Sequence, residues 1–125
     1  MSEASRIAEF MQRTTREAAS QVTRKIGLQA LSGLVLRTPV DSGRARGAWS
    51  VGVRSAPGGT GDPDKSGAST IARGSSTIGT QQGFDEIILE NNVPYINRLD
   101  EGHSGQAPQG MTAGMLASLG LGTGR

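Results

Sequence analysis

The feature that most constrains this chain is the long stretch from Ser5 to Val35, which contains no proline and is built mostly from good helix formers. Ile7, Phe10, Met11, Thr14, Ala18, Val22 and Ile26 recur through it at steps of three and four, the period of one face of an amphipathic helix. At about 1.5 Å per residue such a helix is on the order of 45 Å long. That exceeds what a compact domain of this mass needs for its own core, so part of one face is expected to lie against another subunit. Beyond Gly27, the residues Leu28, Leu31, Leu34, Val35 and Leu36 occupy more of the circumference, and this second half is expected to be the more buried. The run TPVDSG at 38–43 ends the helix, because proline cannot continue it and Asp, Ser and Gly supply turn chemistry.

From Gly47 to Val53 the pattern changes to alternation, with Trp49, Val51 and Val53 against Ser50, Gly52 and Arg54, the period of a strand with one buried face. Trp49 is expected in the core. Residues 55–67 are Gly, Pro, Ser and Asp almost throughout and predict a flexible loop. A weak helix over Ser66–Gly79, a strand over Phe84–Glu90, a short helix over Tyr95–Asp100 opened by Pro94, and a marginal helix at about Gly110–Leu119 complete the reading. The last residues, about 120–125, read as a flexible tail. The predicted fold is one α+β domain over 1–125: a long N-terminal helix packed on a small β-sheet, with a long Gly-rich loop and short C-terminal helices.

The apolar supply for this fold is small. Hydrophobic residues make up 34% of the 125, and the aromatics are one Trp, one Tyr and two Phe, so the core is thin and some of the order is expected to come from neighbours. The chain has no cysteine, which excludes disulfides, thiolate zinc sites and iron–sulfur clusters. His103 is the single histidine and cannot form a multi-histidine metal site within one chain. No cofactor or metal is expected. There is no apolar run of about 18 residues, and the first residues, MSEASR, are polar, so a soluble protein made in the cytoplasm with no membrane partner is expected. A formal net charge of +2 is a weak signal for a polyanion partner.

Three groups of residues invite a chemical reading. His103 lies between Glu101 and Ser104, but neighbours on a loop seldom place a hydroxyl within reach of the adjacent imidazole, so a loop or interface histidine is preferred to a catalytic one. The glycines from Pro57 to Gly61 lack the Lys-Ser/Thr of a phosphate-binding loop, and Asp62 and Asp64 lack the remaining ligands of a calcium loop. Arg37, Arg44, Arg46 and Arg54 gather around the TPVDSG turn. They could grip nucleic-acid phosphates, but few aromatics exist to stack on bases, and Asp41 is close enough to pair with Arg44 or Arg46. Inter-subunit ion pairs and hydrogen bonds to the turn are the preferred roles.

Two segments are more specific than these. RTPVDSGRARGAW at 37–49 and NNVPYINRLDEGHSGQAPQGM at 91–111 resemble the paired signatures of the tail-completion and neck proteins of long-tailed bacteriophages, a family grouped with minor tail proteins of similar fold. The matching positions are Pro39, Asp41, Gly43, Arg44 and Trp49 in the first segment, with Arg46 among them as a candidate interface residue. In the second they are Asn92, Pro94, Tyr95, Glu101, Gly102, Ser104, Ala107, Pro108 and Met111, with His103 among them as a candidate interface residue. The chain departs from the family in lacking an aromatic between the acidic residue and glycine, since Glu101 directly precedes Gly102, and in ending soon after Met111. The resemblance implies a non-enzymatic virion protein that forms a homo-oligomeric ring, a hexamer. It further implies a place between the head connector or stopper and the tail terminator or tail tube, close to genomic DNA in the channel but without specific contact. The alternative from the residues alone is a basic nucleic-acid-binding module that uses the long helix and the arginine cluster.

Overall fold

A computed structural model describes residues 2–102 and 110–120. Helix α1 spans Glu3–Arg37 and starts two residues before the expected position, because Ser2 caps it: the Ser2 hydroxyl accepts the Ser5 N–H at 3.1 Å. After the turn come α2 (Arg44–Gly47), β1 (Trp49–Val53), α3 (Ala68–Ile78), β2 (Ile87–Asn91), α4 (Ile96–Asp100) and α5 (Thr112–Ser118). The fold is α+β, as the sequence predicts. No helix among the described residues is long and apolar enough to cross a membrane.

β1 and β2 form a two-stranded antiparallel sheet in which Trp49 faces Asn91, Val51 faces Leu89 and Val53 faces Ile87. The period-2 alternation puts these side chains on the face covered by α1 and α3, and the core joins Leu31, Leu34 and Val35 of α1 to Trp49, Val51, Ile78, Met111 and Met115. Gly74 lets the backbone of α3 approach Leu31 of α1 closely. A two-stranded ribbon is marginal alone, so the sheet depends on these helices.

The boundaries correct two expectations, and the exposure along α1 shows which of its faces the domain leaves uncovered. Gly47 belongs to α2, because the turn that follows Gly43 closes a short helix with Gly47 N–H bonded to Gly43 O at 2.9 Å, and β1 starts only at Trp49. Phe84 is 67% exposed and precedes β2, whose end extends instead to Asn91. The stripe Ile7, Phe10, Met11, Val22 and Ile26 does not face the domain: each is exposed, as are Leu28 and Leu36, while Ser20, Gly27, Ala30, Leu31, Gly33, Leu34 and Val35 are buried. The second half of α1 is the more buried one, as expected.

Polar networks supplement the thin core. Gln81 is fully buried, and its amide donates to Gly83 O and Asp85 O, both at 2.9 Å. Ser20 Oγ donates to Gln81 Oε1 at 3.1 Å and accepts from Gly83 N at 2.8 Å, and Arg24 Nε donates to Gln81 O at 2.7 Å. The turn between α3 and β2 is thereby fastened to α1. At the other end of α1, Trp49 Nε1 donates to Thr38 Oγ1 at 2.7 Å, and Thr38 Oγ1 donates to Leu34 O at 2.6 Å. Thr38→Val would leave the indole N–H buried without an acceptor, so it is expected to lower stability by about 1–3 kcal/mol. Urea unfolding followed by the fluorescence of Trp49, the single tryptophan, checks this.

Candidate assembly surface

The segment after α1 is shaped by the need to satisfy the last carbonyls of a long helix. Gly43 takes a left-handed φ of 86°, which turns the chain into α2 and aims Arg46 back at the helix end. Arg46 NH2 donates to Leu36 O at 3.1 Å and Thr38 O at 2.9 Å, Nε to Thr38 O at 3.3 Å, and NH1 to Lys65 O at 2.9 Å. One guanidinium thus ties α1, the turn and the loop together. Pro39 is half-buried beside this clamp and Asp41 is exposed. No ion pair joins Asp41 to Arg44 or Arg46 among the described residues.

The loop at 55–67, expected to be flexible, carries no regular element but has defined anchors. Gly58 N–H donates to Glu90 Oε1 at 3.0 Å, and Asn92 Nδ2 donates to Gly59 O at 2.9 Å. Further on, Asp64 N–H donates to Gly43 O at 2.9 Å, and Gly47 passes so close to Asp62 O that no Cβ would fit. The Asp64 carboxylate then starts α3. Its oxygens accept from Gly67 N at 3.1 Å, Thr70 N at 2.9 Å and Thr70 Oγ1 at 2.8 Å.

The two segments singled out in the sequence meet through the end of β2. Asn91 Nδ2 donates to Ala45 O at 2.8 Å, and its Oδ1 accepts from Val93 N at 3.1 Å. The Arg44 guanidinium lies over the Tyr95 ring, 5.8 Å from its centroid, within cation–π range. Asp100, the last residue of α4, accepts from Met111 N at 3.0 Å and Thr112 N at 2.8 Å through Oδ1, and so caps α5. Met111 is buried beneath that cap. Arg44, Asn92, Pro94, Tyr95 and Glu101 are exposed, whereas Trp49 is buried and Gly102 is half-buried. His103, Ser104, Ala107 and Pro108 lie outside the described residues.

The arginine cluster does not converge on one patch. Arg46 faces the three carbonyls, Arg37 NH1 donates to Gly33 O at 3.3 Å, Arg44 covers Tyr95, and Arg54 Nε lies 3.9 Å from Asp85 Oδ2. Asn91, Asp64 and Asp100 were not legible as organising residues. For Asp64 the signal present in the sequence was the aspartate six residues before Thr70 at the start of a helix. No family model, curated protein or solved structure matches the chain.

The hydrogen bonds from Thr70 hold the Asp64 carboxyl below its ordinary value. A carboxyl lowered in the folded state contributes stability that is complete above its unfolded pKa, near 3.8, and is lost as pH falls through the lower folded value. Asp64→Asn is therefore expected to remove part of the acid limb of the stability profile below about pH 4 while weakening the fold at neutral pH. Thermal unfolding at pH 7 and at about pH 3, compared for both proteins, checks the sign: the gap must narrow in acid.

Proposed function

We propose that this chain is a structural subunit of the bacteriophage neck, forming a ring, six-fold, that completes the tail and joins it to the head connector around the DNA channel. The observation that carries the reading is that the described parts of the two segments on which the resemblance rests, far apart in sequence, lie against one another. Asn91 reaches α2, Arg44 covers Tyr95, and Asp100 draws Met111 and α5 against the same body. Its exposed members, Arg44, Asn92, Pro94, Tyr95 and Glu101, combine an aromatic ring, an arginine and polar groups, the composition of a protein-contact surface. Its buried members, Trp49 and Met111, hold that surface in place. In closed rings each subunit offers two different surfaces to its neighbours, and a small domain acting this way needs contact geometry and no catalytic group.

In the phage that encodes the chain, its deletion is expected to leave filled heads and finished tails unjoined, which electron microscopy of the lysate reads directly. Complete infectious particles without the chain would overturn the proposal. Arg44→Ala is expected to lower the yield of joined particles while leaving the subunit folded.

The arginine geometry also distinguishes the nucleic-acid alternative. Each phosphate contact adds about 0.9 to the slope of log affinity against log salt. With Arg46 committed to carbonyls and Arg54 beside Asp85, Arg→Ala changes at these positions are expected to leave any DNA affinity weaker than about 1 µM and its salt slope unchanged. Nanomolar, sequence-selective binding with a slope that falls at each change would favour the alternative.

A further inference from the structure

The first half of α1 raises a question that the neck reading does not address. Residues 2–18 are exposed throughout, yet the helix carries large apolar side chains there: Ile7 is 60% exposed, Phe10 61% and Met11 61%, with Val22 at 58% farther along. At about 100° per residue, Ile7, Met11, Thr14 and Ala18 centre on a line nearly opposite the arc that carries Ser20, Gly27, Leu31 and Leu34 into the core. The domain cannot cover this line, because it sits on the other side of the helix. Its residues step by four, three and four, the spacing of a coiled-coil seam.

We infer that this outward seam is the contact through which two copies of the chain pair, α1 against α1. Charge supports a copy of the same helix as the occupant. Glu3, Arg6, Glu9, Arg13, Arg16 and Glu17 all fall on the opposite or flanking arc, and none interrupts the seam from Ile7 to Ala18. An uncharged seam offers nothing to a phosphate backbone or an anionic headgroup, and two identical uncharged seams meet without like-charge repulsion. Shape supports it too. Phe10 stands on one side of the seam, and on the other Phe84, 67% exposed, forms with Met11, Gln12, Thr15 and Arg16 an open notch of about 380 Å³. A helix laid along the seam has an aromatic rail on each side.

Area points the same way. Five large apolar side chains, each more than half exposed, present roughly 500 Å² between them, at the upper end of the largest patch on an ordinary monomer. With Thr14, Ala18 and the flanking alanines this approaches the about 800 Å² that each partner gives to a stable interface. A partner must be a helix of several turns with an equally uncharged seam, and every copy of this chain carries one. The inference stands without the neck reading, and either can fail alone.

Sedimentation of the full chain from about 1 to about 100 µM tests it, a range in which an interface of this size is readable. The wild type is expected to show a reversible monomer–dimer equilibrium, and Met11→Glu, at an exposed position, to weaken it by about tenfold or more with unchanged helix content by circular dichroism. Arg13→Glu, on the charged arc, is expected to leave it intact. A wild type that stays monomeric throughout, a self-association that survives Met11→Glu, or one lost equally in Arg13→Glu would each overturn the inference. So would a monomer whose Met11→Glu variant loses co-sedimentation with phosphatidylglycerol vesicles, which would assign the seam to a lipid surface.

Discussion

The Arg46 guanidinium at the end of α1 is the contact on which the rest of this structure depends. A helix of 35 residues ends with unpaired carbonyls, and here the part-buried Thr38 O and the more exposed Leu36 O lie beside the turn that follows. Arg46 meets Leu36 O, Thr38 O and Lys65 O at once, and Thr38 passes its own hydroxyl between Leu34 O and the Trp49 indole. The direction of α2, the depth of Trp49 and the docking of the loop before α3 follow from that one junction. A lysine in its place would offer its three donors from a single nitrogen, and could not span carbonyls that the separate Nε, NH1 and NH2 atoms of Arg46 reach.

How much of this was legible depends on whether the signal was local. The helix of α1, its stop at Thr38-Pro39, the two strands and the helices α3, α4 and α5 rest on periodicity and turn chemistry, which a sequence carries openly, whereas α2 was not read. The face of α1 that packs was not legible. Periodicity marks an apolar stripe but not its covering, and Ile7, Met11 and Val22 form as regular a stripe as Leu31 and Leu34 while facing away from the core. The exposure of Phe84 has a similar cause: Gln81 is fastened by Ser20 and Arg24, 61 and 57 residues away, and this fixes the turn so that the aromatic falls outside the sheet. The arginine cluster was visible as density in the sequence. Its division among carbonyls, a tyrosine ring and an aspartate is tertiary.

Hydrogen-bonded polar side chains, buried or half-buried, take the place of bulk in this fold. With so few aromatics, the connections between elements are held by side chains that each satisfy several backbone groups: Gln81 for the turn before β2, Asp64 for α3, Asn91 for the junction of β2 with α2, and Asp100 for α5. A buried amide such as Gln81 contributes about 1 kcal/mol net when paired and costs more when its partner is removed. The geometry of the connections therefore rests on single polar side chains as well as on apolar volume.

The exposed half of α1 fits the same economy. An isolated helix of this length is marginal in water, and the first five turns of α1 receive little support from the domain. Their charged arc places Glu9 four residues before Arg13, the favourable order on a helix, but no ion pair closes between them among the described residues. Glu3 in the first turn and the Ser2 cap add the favourable end of the helix dipole. These terms keep the segment helical but do nothing for the apolar seam on its other side, whose exposure opposes solubility. Evenly spaced charge on one arc and none on the other is therefore the pattern of a helix built to stand clear of its own domain and to be covered from outside.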